Sequence, residues 1–83
     1  MPNNHGPIVP LNSLKPGQQG RIAAFVPDCR YYRSKLLSMG MTPGTEVRVI
    51  RYAPMGDPME LEVRGYRLSL RRSECQAVMV EST

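Results

Sequence analysis

The stretch Leu36-Leu37-Ser38-Met39-Gly40-Met41-Thr42-Pro43-Gly44 decides the fold, because it holds both the end of a helix and the turn into a strand. Tyr32, Leu36 and Met39 fall at i, i+4 and i+7, which places them on one helical face. Gly40 stands where a left-handed C-terminal cap is needed, a backbone state that glycine enters without steric cost. Met41 follows, placed to fold back on Leu36 as the hydrophobic contact of that cap. Thr42 precedes a proline and is pushed out of the helical region. Pro43 and Gly44 suit the two central positions of a type II turn.

Upstream, the pattern predicts a helix over residues 30–39, with Asp28 as its N-cap and Arg30, Arg33, Ser34 and Lys35 on its solvent face. Residues 20–26 read as a strand, with Ile22, Ala24 and Val26 on one face and Phe25 on the other, and Pro27 ends it. Lys15-Pro16-Gly17-Gln18 is a turn. Residues 9–14 anchor irregularly to the core through Leu11 and Leu14. Residues 1–8 are expected to form a flexible tail, which leaves residues 9–83 as a single domain.

Downstream, residues 46–52 read as a strand with Val47 and Val49 on one side and Ile50 and Tyr52 on the other. Apolar groups on both faces imply a strand covered twice, by a barrel interior and by the helix. Ala53-Pro54-Met55-Gly56-Asp57-Pro58 is a turn-rich loop. Next, Met59, Leu61 and Val63 alternate with Glu60, Glu62 and Arg64, and Tyr66, Leu68 and Leu70 alternate with Arg67, Ser69 and Arg71. A two-residue Arg64-Gly65 turn pairs Val63 with Tyr66, Leu61 with Leu68 and Met59 with Leu70, and sets Glu62 opposite Arg67. Arg72-Ser73-Glu74 is a tight turn or one turn of 3₁₀ helix, residues 76–80 are a last strand, and residues 81–83 fray. Five to six short strands, with one helix inserted after the first barrel strand, make a mainly β, strongly bent SH3-like barrel.

The chain has 83 residues, room for one small core that buries roughly 60% or a little more of the unfolded surface. Lysine plus arginine is 11 against 7 acidic residues, a formal charge of +4 that suits nucleic acid, an acidic protein face or plain solubility. The basic residues are scattered, with only Arg71 and Arg72 adjacent. No apolar run approaches the ~20 residues of a membrane span, and the N-terminus lacks a signal-peptide pattern, so a cytoplasmic location is expected. Cys29 and Cys75 are then expected to be reduced.

Chemistry finds little purchase in the sequence. The single histidine, His5, lies in the tail, and no Ser-His-Asp or Cys-His set is evident. Asp57 before Pro58 reads as a turn-former rather than as an acid–base partner of Glu60. There is no phosphate-binding loop, and Arg30, Arg33, Arg71 and Arg72 read as solvated arginines rather than as an arginine finger. Cys29, Cys75 and His5 lack metal-ligand spacing. No enzymatic activity, cofactor or intrinsic metal site is expected. Nor is nucleic-acid binding, since Tyr32 and Tyr52 are committed to packing and only Tyr31 and Tyr66 remain for stacking. What survives is protein binding, through the exposed side of the helix, its following turn and the Pro54–Pro58 loop. There Arg30, Arg33 and Lys35 steer an acidic partner, and Met55 and Asp57 of the loop are further candidate contacts, Met55 as an adaptable one. Met39 and Met41 are assigned to the core.

Three blocks carry a family resemblance, in order: residues 36–44, residues 53–58 and residues 65–71. Their motif positions are Leu36, Met39, Gly40, Met41, Pro43, Gly44, Pro54, Gly56, Pro58, Gly65, Leu68 and Leu70. Together they resemble the ferrous iron transport protein A (FeoA) family over roughly residues 9–81. Methionine replaces the family's leucine at positions 39, 41 and 55, a volume-conserving change. The resemblance implies a cytoplasmic, non-enzymatic accessory protein for bacterial ferrous iron uptake. Its partner would be FeoB, a membrane transporter with a cytoplasmic GTPase domain, which would hold it at the inner membrane. Similar domains also occur fused to that transporter and at the C-terminus of metal-responsive repressors. The alternative is a small regulatory or nucleic-acid-binding barrel not tied to transport. Weak self-association is left open.

Overall fold

Alternation in residues 59–70 dictates the hairpin that anchors the sheet. In the computed structural model, which describes residues 6–27 and 30–82, strands β4 (Met59–Val63) and β5 (Tyr66–Leu70) pair Val63 with Tyr66, Leu61 with Leu68 and Met59 with Leu70. This is the register expected from the pattern. Arg64 (φ 52°) and Gly65 (φ 85°) both take positive φ, as a type I′ turn requires. Met59, Leu61, Val63 and Leu70 are fully buried. The remaining strands are β1 (Ile8–Pro10), β2 (Gln19–Phe25), β3 (Glu46–Tyr52) and β6 (Val78–Ser82). All six form one antiparallel sheet in the order β1-β6-β2-β3-β4-β5, an SH3-like barrel.

Two bulges correct the facing expected for β2 and β3. In β2, the register against β6 shifts between Ile22 and Ala24. Ile22 pairs with Val80, and Phe25 with the buried Val78, so Phe25 packs on the core and Ala24 is exposed. A simple two-residue period predicts the reverse, because one extra residue inverts every later side chain. In β3 the shift falls between Val49 and Arg51, which brings Tyr52 opposite Met59 and onto the same face as Val47 and Val49. Ile50 is the extra residue, and Arg48 and Arg51 are exposed, so β3 is covered on one face only. Both bends fall on the strands that must curve to wrap a small interior.

The stop signal after helix α1 (Arg30–Ser38) works as its residues dictate. Gly40 takes φ 87°, its N–H donates to the Leu37 carbonyl (3.0 Å), and the Met41 N–H donates to the Leu36 carbonyl (3.1 Å). These two bonds define a Schellman cap. Leu36 and Met41 are both fully buried in the core, with Tyr32 and Met39 packed against it. Thr45 N–H then bonds the Thr42 carbonyl (3.0 Å), closing the Pro43-Gly44 turn that starts β3. Asp28, the expected N-cap, lies outside the described residues.

The sheet takes in more of both ends than the sequence suggests. Just before Val9, Gly6 N–H bonds the Ser82 carbonyl (2.9 Å), Ser82 N–H bonds the Pro7 carbonyl (3.0 Å), and Ile8 begins β1. Glu81 and Ser82, expected to fray, belong to β6, which lies between β1 and β2. That last strand starts at Val78 rather than Gln76, because residues 72–75 form a short α-helical turn, α2 (Arg72–Cys75), and not a 3₁₀ turn. A 3₁₀ turn at Leu11–Ser13 seats Leu11 and Leu14 in the core.

At Gly40 an added Cβ would lie 3.0 Å from the Tyr66 hydroxyl, besides forcing a positive φ on a side-chain-bearing residue. G40A is expected to destabilise the fold by about 1–2 kcal/mol, read as a lower urea midpoint at unchanged slope.

Candidate partner-binding surface

The residues expected to meet a partner divide into two groups. Lys35 and Asp57 are held by the protein itself. The Lys35 ammonium forms an ion pair with Oε2 of Glu74, a residue only 4% exposed. Oε1 of the same carboxylate accepts the Arg71 N–H at 2.9 Å. Asp57 Oδ1 accepts the Arg72 N–H at 2.9 Å, so two carboxylates satisfy N–H groups at the start of α2. Arg72 also donates from Nη1 to the Gly56 carbonyl (3.4 Å) and places its guanidinium 5.7 Å from the Tyr52 ring centroid. The Tyr52 hydroxyl in turn donates to the Leu14 carbonyl. Lys35 therefore ties α1 to α2, and Asp57 ties the Pro54–Pro58 loop to α2. Neither is a free steering charge.

Electrostatics at Glu74 follow from this geometry. Burial, the largest influence, pushes its carboxyl upward. The Lys35 ammonium, the Arg71 N–H and the Arg71 charge together outweigh that push and hold the group below its ordinary 4.5. Next to it, burial and then the charges of Glu74 and Asp57 push the Cys75 thiol up to about 12, against a smaller opposing pull from Arg72. Cys75 is fully buried and unbridged, and behaves as a small core hydrophobe. Among the described residues, no three His, Cys, Asp or Glu side chains cluster closely enough to hold a metal ion. Cys29 and His5 lie outside them.

Arg30, Arg33 and Met55 remain outward-facing. Met55 is 92% exposed at the tip of its loop. Arg30 and Arg33 line an open groove of about 420 Å³ whose other wall is the bulged end of β2, Ala23 to Val26, with Pro27 and Pro43. Among the described residues its lining combines apolar side chains with two positive charges and no carboxylate. A second open groove lies on the other side of the Pro43 turn, and there Glu46 and Glu62 offset Arg48 and Arg64. The Pro43-Gly44 turn is thus a ridge between a basic groove and a charge-balanced one. Arg64, which sequence reading left as a turn residue, donates to the Thr42 and Thr45 hydroxyls at 3.2 Å each and so braces that ridge from the hairpin. No local pattern signals a contact made across 22 residues.

A mainly β barrel of this order, with open grooves, defines a small SH3-like domain. A family model described as the FeoA domain matches residues 9–82, and the chain belongs to the FeoA family. The chain is 32% identical over 71 residues to a fusion of Fe(2+) transport protein A with the Fe(2+) transporter FeoB from Porphyromonas gingivalis. That match covers 86% of the chain and 8% of the fusion protein, so the chain spans a small fraction of this relative's length. A FeoA-like protein from Clostridium acetobutylicum, solved by NMR, is 39% identical, with a TM-score of 0.84 over 90% of the chain and 86% of its own. A crystal structure of an iron uptake regulatory protein (FeoA) is 34% identical, with a TM-score of 0.81 over 93% of the chain and all of its own.

E74A is expected to cost about 2 kcal/mol at neutral pH, from a lost cap and a lost part-buried ion pair. Because the folded carboxyl titrates below 4.5, the charge-dependent part of this contribution is full above 4.5 and is lost as pH falls through the lower folded value. The gap between the urea midpoints of wild type and variant should therefore narrow in acid. D57A should cost about 1 kcal/mol, whereas M55A should stay within about 0.5 kcal/mol of wild type.

Proposed function

We propose that this chain is an accessory protein of ferrous iron uptake that binds an FeoB-type transporter and modulates it by contact rather than by chemistry of its own. The observation that carries the reading is the fusion relative, in which a stretch similar to nearly the whole chain shares one polypeptide with an FeoB transporter. Domains that occur fused in one protein have a reason to meet when they are separate chains. The basic groove between α1 and β2 is the contact surface this reading favours, with Arg30 and Arg33 drawing an acidic face of the transporter and the Ala23-to-Val26 wall giving apolar area. In this reading the chain works in the cytoplasm and reaches the membrane only through its partner. No helix among the described residues is long and apolar enough to cross a membrane.

The test is calorimetric titration of the chain into the cytoplasmic part of its cognate FeoB, with GTP analogue, with GDP and without nucleotide. Saturable binding is expected, weakened about tenfold or more by the double variant R30E/R33E and unchanged by S13A, a substitution outside the groove. Binding that R30E/R33E leaves untouched would move the contact elsewhere. Binding to RNA with none to FeoB would replace the reading with that of a nucleic-acid-binding barrel.

A further inference from the structure

Every sheet that does not close has two edges, and the two edges of this one are built differently. On β1, alternation from the Ser82–Pro7 bond turns Pro7 and Val9 toward β6 and Ile8 and Pro10 outward. Pro10 has no N–H, and its carbonyl already accepts the Ser13 hydroxyl at 2.6 Å. The β1 edge is therefore blunted by proline and offers a partner little beyond Ile8. β5 contains no proline. In a two-residue hairpin the closing pair, Val63 and Tyr66, is hydrogen-bonded, so Leu68 and Leu70 also face β4 while Arg67 and Ser69 turn their N–H and C=O groups outward. Both are exposed residues, and among the described residues no strand pairs with β5 on that side.

The charges next to this edge have an order. Register places Arg48 of β3 beside Glu62 of β4, and Glu62 beside Arg67 of β5, so one cross-strand row reads plus, minus, plus and ends at the open edge. The following row, Arg51, Glu60, Ser69, holds an Arg51–Glu60 ion pair at 2.9 Å and ends in a neutral hydroxyl. Arg64 and Arg71 flank the strand at its two ends, and both are exposed. On the inner face, Tyr66 is 45% exposed and Leu68 half-buried, which leaves apolar surface for a neighbour to cover.

We propose that the outer edge of β5 is a docking strand for an extended acidic segment of a partner protein, which adds to the sheet as a further strand. Its backbone bonds the outward groups of Arg67 and Ser69, an aspartate or glutamate continues the charge row opposite Arg67, and alternate apolar side chains cover Tyr66 and Leu68. A second copy of the chain is disfavoured as occupant, because pairing two β5 edges brings Arg64, Arg67 and Arg71 of both copies together on chains of net charge +4. This inference stands on the edge and its charge row, and is independent of the transporter reading and of the α1–β2 groove.

The probe is a synthetic peptide of alternating Glu and Val, about eight residues long to match a strand, titrated to millimolar concentration into isotope-labelled full chain. Expected are NMR shifts centred on residues 66–70, slowed amide exchange at Arg67 and Ser69, and affinity that falls with added salt. R67E should weaken binding about tenfold or more and accept a Lys-Val peptide in place of the Glu-Val one. S69P deletes one outward N–H and should weaken binding while leaving the rest of the spectrum native. Shifts confined to the α1–β2 groove, affinity unchanged in both variants, no binding at millimolar peptide, or a β5-mediated dimer of the chain alone would each overturn the proposal. None of these outcomes bears on the R30E/R33E titration, which probes a different surface.

Discussion

One nearly buried carboxylate holds the outer elements of this small protein in place. Glu74 uses one oxygen on the backbone of α2 and the other on Lys35 of α1. Because α2 in turn holds the Pro54–Pro58 loop through Asp57, the helix, the short turn and the loop become one continuous layer around the barrel. The desolvation that such a group suffers is offset only when both of its oxygens are engaged, as they are here. Among the described residues, a core of fourteen buried side chains and no disulfide leave a modest margin for losing that link.

How much of this was legible in the sequence depends on how local the cause is. The β4–β5 hairpin was readable to the register because apolar alternation, a turn dipeptide and a cross-strand charge pair agree within twelve residues. So was the end of α1, where Gly40 and Met41 carry the whole cap. The facing of Phe25 and Tyr52 was not readable, since nothing in the local pattern marks Ala23 or Ile50 as an inserted residue; the curvature of the whole sheet requires it. The internal bonds of Lys35 and Asp57 were not readable for a related reason. Lys35 looks like a solvent charge and Asp57 like a turn-former in its own segment, and the partner of each lies far along the chain, at Glu74 and Arg72. The α1–β2 groove shows the converse, for Arg30 and Arg33 were singled out correctly as exposed, but the wall they face comes from a bulge that sequence does not reveal.

Folding also sorts the positive charges. Arg21, Arg51, Arg64 and Arg72 have partners within the protein. Of the other exposed cations, Arg30 and Arg33 line the groove beside α1, Arg67 and Arg71 lie on β5 and just past its end, and Lys15 and Arg48 stand apart from both. Cations dispersed along the chain are thus brought together in two pairs, while Glu46 and Glu62 offset Arg48 and Arg64 in the groove past Pro43.

The ladder between β1 and β6 has a mechanical consequence. Gly6, Pro7 and Ser82 meet at the same end of two antiparallel strands. Tension applied between positions 6 and 82 would load that ladder in the peeling direction, one rung at a time, rather than shearing all its bonds together. Nothing in the β2–β5 curl would bear force until the β1 strand had come away. Pulled from those two points, the domain should yield softly at its rim while the barrel behind it stays intact.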